Sequence, residues 1–188
     1  MTDLFRLTVR DMCLIALFVA IIAAMAQIIV PIPPVPFTLQ TFAIPLAGVV
    51  LGARRGSFAV IIYLLLGAIG VPVFAGFNGG LHAVMGPTGG FLLSFPIFAL
   101  IAGLAMKQAQ KTEKLRYYLW LVGGLLVGAT IMFTAGMLQL AFVTQMGISA
   151  AFGIGVLPFI IPDMLKIALV VIIAPKLRQV VDDKSLSV

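Results

Sequence analysis

A chain of 188 residues that is 62% hydrophobic and only 10% charged, with a mean hydropathy of +1.22, is not a soluble domain. Its composition is that of a helical membrane protein. The net charge of +6 does not mark a nucleic-acid binder, because the cations sit in separate short segments that report topology. The one cysteine, Cys13, lies in an apolar run and has no partner for an internal disulfide.

Residues 1–11 are polar, carry Arg6 and Arg10, and offer Thr8 or Asp11 as a helix cap. Residues 12–30 form the first expected span. This run is too long for a signal-peptide core and ends in prolines instead of a small-residue cleavage site, so it is expected to be retained. Within it Ala16, Ala20 and Ala24 recur every four residues. Such a stripe lets another helix approach closely, although alanine is also simply common in membrane helices. The prolines of residues 31–36, PIPPVP, push the backbone to extended form. Residues 39–51 are a short second span, closed by Gly52-Ala-Arg54-Arg55-Gly56, and residues 57–70 a short third. Residues 71–86, VPVFAGFNGGLHAVMG, are uncharged and glycine-rich, with Asn78 and His82 as polar side chains. Residues 88–106 are span four and residues 107–116 a basic loop. Residues 117–146 make a fifth span longer than a bilayer needs. Residues 152–174 are the sixth, followed by Lys176, Arg178 and a polar tail.

Lys166 apart, every Lys and Arg falls at a terminus, between spans two and three, or between spans four and five. The other three connections hold none. By the positive-inside rule this gives six transmembrane helices with N- and C-termini cytoplasmic, in one domain over residues 1–188. The expected fold is therefore an all-α integral membrane protein. Its 1–2 and 3–4 connections face outward and are non-helical, and such backbone is tolerated near membrane depth only when buried in protein or lining a cavity. Both are expected to fold over an outward-opening ligand pocket.

The sixth span holds the chemistry. Asp163 and Lys166 lie near its middle, three residues apart and so on one helix face. A charge at membrane depth costs about 2.5–3.5 kcal/mol on insertion scales and needs a partner or a polar cavity. Pro162 lacks an amide and crowds the carbonyl of Pro158, so the helix is expected to kink or to start late, at Pro158. Asp163 accepts hydrogen bonds, Lys166 donates them and Asn78 does both. Thr38, Gln40 and Thr88 add neutral polar groups, and Phe37, Phe74, Phe77 and Phe91 add apolar walls. A small, mainly apolar ligand carrying both donors and acceptors fits such a pocket. His82 is either a neighbour of this site or an incidental loop histidine. The tyrosines and Trp120 read as interfacial anchors near the basic loop. No phosphate-binding loop, zinc motif or serine–histidine spacing argues for catalysis or a cofactor.

With those residues in view, the sequence resembles the BioY family, the biotin-specific S components of energy-coupling factor (ECF) vitamin transporters. The likeness runs through PIPPVPFTLQTFAIPLAG (residues 31–48), LGARRG (51–56), YLLLGAIGVPVFAGFNGG (63–80), GPTGG (86–90) and PFIIPDMLKIAL (158–169). It implies a biotin pocket on the extracellular side in which Asn78, Asp163 and Lys166 contact the ligand. By the same resemblance Asp163 takes a ureido N–H of biotin, while Lys166 or Asn78 donates to the ureido oxygen; Lys166 holding the valerate carboxylate is the alternative. The thioether ring and methylenes would lie on Phe37, Phe74 or Phe77, beside the backbone of Gly79 and Gly80. The family likeness gives Ala16, Ala20 and Ala24 a role in docking a transmembrane coupling (T) subunit, which works with two cytoplasmic ATPase subunits. Other readings of the residues are a self-sufficient carrier with Asp163 and Lys166 as a proton relay, a small enzyme acting on lipid, and an inert structural ion pair.

Overall fold

Helices account for most of the computed structural model, which describes residues 8–31 and 34–182. Arg6, Pro33, Lys184 and the polar tail past Asp182 lie outside the described residues. Helix α1 (Val9–Ala26) starts at Thr8 because two side chains satisfy its first amides. Thr8 Oγ1 accepts from the Asp11 amide and an Asp11 carboxylate oxygen accepts from the Thr8 amide, each at 3.2 Å, a reciprocal capping box. The helix ends before residue 30. The chain becomes strand β1 (Ile29–Val30), which pairs antiparallel with β2 (Phe37–Thr38), Ile29 facing Thr38 and Val30 facing Phe37. The expected extended run is not what the described part of the proline segment shows: the chain turns at Pro34 and bends at Val35 before entering β2.

Helices α2 (Gln40–Leu51) and α3 (Ala53–Ala68) are separated by Gly52 alone, at φ +84°, a left-handed conformation that glycine adopts without penalty. Arg54 and Arg55 therefore lie in the first turn of α3, not in a loop, and Arg55 pairs with Asp11 on α1 at 3.1 Å. The next segment contains a short helix, α4 (Leu81–Met85), before α5 (Gly89–Ala109) and the long α6 (Lys114–Thr144). The sixth predicted span is two helices. Helix α7 (Ile148–Gly155) stops at Val156 and α8 (Leu157–Asp182) starts again at once. Pro158 sits in the first turn of α8, where its missing N–H leaves no gap in the ladder. The helix then runs through Pro162 and Pro175, so Lys176 and Arg178 are helical, and Arg178 donates to the Val49 carbonyl at 2.8 Å.

Short α2 is the centre of the molecule. Ten of its twelve residues are buried, and α1, α3, α5 and α8 all pack on it. A helix apolar on every side has to be enclosed. Glycine sets the approach distance: a Cβ at Gly48 would collide with the backbone of Ala99 on α5, and one at Gly103 with Ala53 on α3. Among the described residues, four helices are long and apolar enough to cross a membrane: α1, α5, α6 and Leu157–Val181 within α8. Large apolar side chains on these, among them Leu17, Leu93, Leu126 and Leu165, point outward.

Gly48→Val is expected to destabilise the fold by about 1–3 kcal/mol, the usual range for overpacking. The readout is a lower melting temperature in detergent. Gly123→Ala, where an added methyl meets nothing within 4 Å, is expected to leave it unchanged. Equal melting of the two variants would contradict the close packing of α2 on α5.

Candidate ligand cavity

The start of α8, β2, the first turn of α2 and residues 69–88 converge with α5 and α6 on a cavity of about 260 Å³. That is just under the roughly 300–1,000 Å³ usual for small-molecule sites. Of the residues singled out in the sequence, Phe37, Thr38, Gln40, Phe74, Asn78, Thr88, Phe91, Asp163 and Lys166 line it. Phe95, Met132, Phe133 and Phe159 complete the apolar wall, so the pocket is aromatic with a few polar groups.

Asp163 and Lys166 are both 5% exposed and form a salt bridge at 2.7 Å. The lysine ammonium donates to three oxygens: Asp163 Oδ1 at 2.7 Å, Thr41 Oγ1 at 2.6 Å and the Thr38 carbonyl at 2.7 Å. The Phe37 ring covers it at 3.8 Å, a cation–π contact. An ammonium has three N–H donors, and all three are used. Thr41 in turn donates to the same Asp163 oxygen at 2.9 Å. Asp163 Oδ2 accepts from no group among the described residues, yet it is not sealed from the cavity, since no buried side-chain oxygen lacks a partner. The acid thus offers one oxygen to the pocket while the base offers nothing. Phe159 stacks on Phe37 at 6.4 Å and extends the wall beside the pair.

A second chain of hydrogen bonds runs away from the cavity. Thr38 Oγ1 donates to Gln40 Oε1 at 3.0 Å, Gln40 Nε2 donates to the Tyr63 hydroxyl, and Tyr63 donates to the Val73 carbonyl at 3.1 Å. Tyr63 is fully buried, so the expectation that the tyrosines are interfacial anchors fails for it. Its ring meets Phe74 edge-on at 5.5 Å, and Phe74 in turn occupies the space left by Gly67. Gln27, one residue past α1, donates to the Phe74 carbonyl at 3.1 Å and accepts from the Phe77 amide at 2.8 Å. Gln139 on α6 donates at 2.9 Å to the carbonyls of both Val84 and Gly86. Two glutamines thus hold residues 69–88 from opposite sides.

Asn78 is partly fixed. Its Oδ1 accepts from the Gly79 amide at 2.8 Å and meets His82 Nε2 at 2.9 Å, and no acceptor among the described residues takes its Nδ2. Among the described residues, the side chains lining the cavity therefore leave an acceptor on Asp163, a donor on Asn78 and the Thr88 hydroxyl without a hydrogen-bond partner in the protein. Three predicted residues lie elsewhere. Phe77 does not line the cavity: the residue is 71% exposed and its backbone has φ +56°, with its amide donating to Gln27. Gly79 packs its backbone against Val71, and Gly80 donates to the Gly67 carbonyl at 2.6 Å, so both shape the segment without lining the pocket. Ala16, Ala20 and Ala24 are exposed on one stripe of α1 and do not touch the cavity. Sequence reasoning missed Gln27, Thr41, Tyr63, Gln139 and Phe159. The two glutamines, uncharged but polar inside apolar surroundings, carried the only usable signal.

Lys166→Met leaves a buried carboxylate unpaired and is expected to cost about 3–5 kcal/mol of stability. Adding Asp163→Asn should recover part of that loss, so the double variant melts above Lys166→Met; strict additivity would show that the pair is uncoupled. Gln27→Ala is expected to speed hydrogen exchange at the Phe74 and Gly80 amides while α1 stays protected. Unchanged exchange there would mean that Gln27 does not hold the segment.

Comparison with known proteins identifies the family of the chain. The family model described as "BioY family" matches residues 1–183. A probable biotin transporter BioY of Pyrococcus horikoshii is 46% identical over 90% of this chain and 96% of its own length. The biotin transporter BioY of Thermotoga maritima is 37% identical over the same shares, and BioY2 of Lactococcus lactis subsp. cremoris is 41% identical over 91% and 88%. These relatives are named as transporters, not enzymes. Among solved structures, the S-component for biotin from an ECF-type ABC transporter superposes with a TM-score of 0.83 at 29% identity, covering 93% of this chain and 95% of that one. The chain belongs to the BioY family.

Proposed function

We propose that this chain is the biotin-capturing S component of an ECF-type transporter, and that Asp163 is its principal ligand residue. The observation that carries the reading is the pair of unspent polar groups in an aromatic cavity, Asp163 Oδ2 and Asn78 Nδ2. Biotin's ureido group has two N–H donors and one carbonyl acceptor. Asp163 takes a ureido N–H and Asn78 donates to an acceptor of the ligand. Lys166, with its donors spent on Thr38, Thr41 and Asp163, positions the acid. The apolar rings and methylenes of biotin lie on Phe37, Phe74, Phe91 and Phe159.

The protein crosses the plasma membrane six times, through α1, α2, α3, α5, α6 and α8, with both termini in the cytoplasm. Helix α2, about 18 Å long, and α3, about 24 Å, are shorter than a hydrocarbon core of about 30 Å. Enclosure of α2 by its neighbours supports its place among the spans, because it needs no lipid match. The cavity then opens to the outside under residues 34–38 and 69–88. Release inward uses a transmembrane coupling subunit and two cytoplasmic ATPases, and the exposure of Ala16, Ala20 and Ala24 supports docking of that subunit on α1. A proton relay is the poorer reading. Among the described residues lining the cavity, no titratable side chain beyond Asp163 and Lys166 continues a path.

Titration calorimetry of the purified protein with biotin tests this. One-to-one binding is expected, weakened about 10- to 100-fold by Asp163→Asn, as for loss of a charged hydrogen bond. Phe77→Ala should stay within about twofold of wild type, because its ring is outside the cavity. A well-folded wild type that binds no biotin would overturn the assignment. Uptake into vesicles lacking the coupling subunit and ATPases would favour the relay.

A further inference from the structure

A second and larger cavity lies on the opposite flank of α5. It is a groove of about 790 Å³ between α5 and α6, lined by Leu104 and Gln108 on one helix and Arg116, Trp120, Gly123 and Gly124 on the other. Its walls are mostly apolar, and its polar side chains, Gln108 and Arg116, both lie close in sequence to the α5–α6 turn. Gly123 leaves the space open, since a Cβ there would meet nothing within 4 Å, while Gly124 brings the groove floor against Ala105 on α5. From Arg116 to the far wall at Val127 the groove follows about 17 Å of helix, close to the depth of one leaflet of hydrocarbon. Trp120 is 53% exposed at the polar end, the usual level of an interfacial aromatic.

Charge decides what fits. Residues 107–116 hold Lys107, Lys111, Lys114 and Arg116 against the single acid Glu113. No ion pair among the described residues involves any of these cations. We propose that this groove is a binding site for an anionic phospholipid, with one acyl chain along Gly123 and Gly124 and the phosphate at Arg116. Basic clefts between membrane helices at the headgroup level recognise such lipids, because the guanidinium meets phosphate in a fixed fork and the acyl chain fills what no side chain occupies. The site shares no residue with the biotin cavity.

Native mass spectrometry of the detergent-purified protein tests the proposal with equal amounts of phosphatidylglycerol and phosphatidylcholine of identical chains. Wild type is expected to retain phosphatidylglycerol at least about fivefold over phosphatidylcholine. Arg116→Gln should bring the two within about twofold, and Arg116→Lys should keep part of the preference. Gly123→Leu should exclude the retained lipid by filling the groove. Melting temperature and elution profile confirm that each variant is folded, independently of any biotin result. Equal retention of the two lipids by wild type, or a preference untouched by Arg116→Gln, would overturn the proposal. So would displacement of the lipid by inorganic phosphate alone, which would show a headgroup site without the groove. A dimer that Gly123→Leu dissolves would instead assign the groove to a second copy of the chain.

Discussion

One buried ammonium ties the cavity together. Lys166 lies almost out of reach of water, and removing such a charge from solvent costs several kcal/mol unless its hydrogen bonds are replaced. The three replacements come from three elements: Asp163 one turn back on α8, Thr41 in the first turn of α2, and the Thr38 carbonyl on β2. The need of one side chain thus fixes a long helix against the central helix and against the hairpin before it. It also fixes the acid. Asp163 is held through one oxygen by both Lys166 and Thr41, which leaves its carboxylate plane little freedom and turns the other oxygen to the pocket.

The far wall is built by a different means. Residues 69–88 contain only a five-residue helix and one isolated bridge, between Phe74 and Asn78, so most of their backbone groups find no ladder. Gln27, just past the end of α1, and Gln139 on α6 supply partners, and Tyr63 adds a third contact from α3. Attachment by side chains is local: loss of one glutamine removes several bonds to this segment at once. The cavity is thus bounded on one side by a charge-locked helix pair and on the other by a segment held by a few amide bonds. In a binding protein that has to admit and release its ligand, the second wall is the one suited to move.

The parts of this arrangement legible in the sequence are those that break the membrane's own rules. Asp163 and Lys166 stand out because charges inside an apolar run need a reason, and their spacing alone places them on one face. Pro158 signalled the start of α8 to within one residue, since proline is favoured in the first turn of a helix, although α8 also runs on through Pro162 and Pro175. Tertiary packing hid the rest. Nothing local distinguishes Phe74 from Phe77; the space above Gly67 takes one ring, and the left-handed backbone at Phe77 turns the other outward. Tyr63 looked like an interfacial residue until Gln40 and the Val73 carbonyl were seen to satisfy its hydroxyl. The break at Val156 carries no proline of its own, and the single-glycine join at Gly52 erased a loop that two arginines had suggested.

The most direct measurement is an experimental structure of the protein with biotin bound. The account predicts the ureido ring in the cavity with an N–H within about 3 Å of Asp163, and Lys166 still bonded to Thr38 and Thr41. Biotin seated elsewhere, or a ligand-filled cavity in which the Asp163 carboxylate makes no contact with it, would contradict the account.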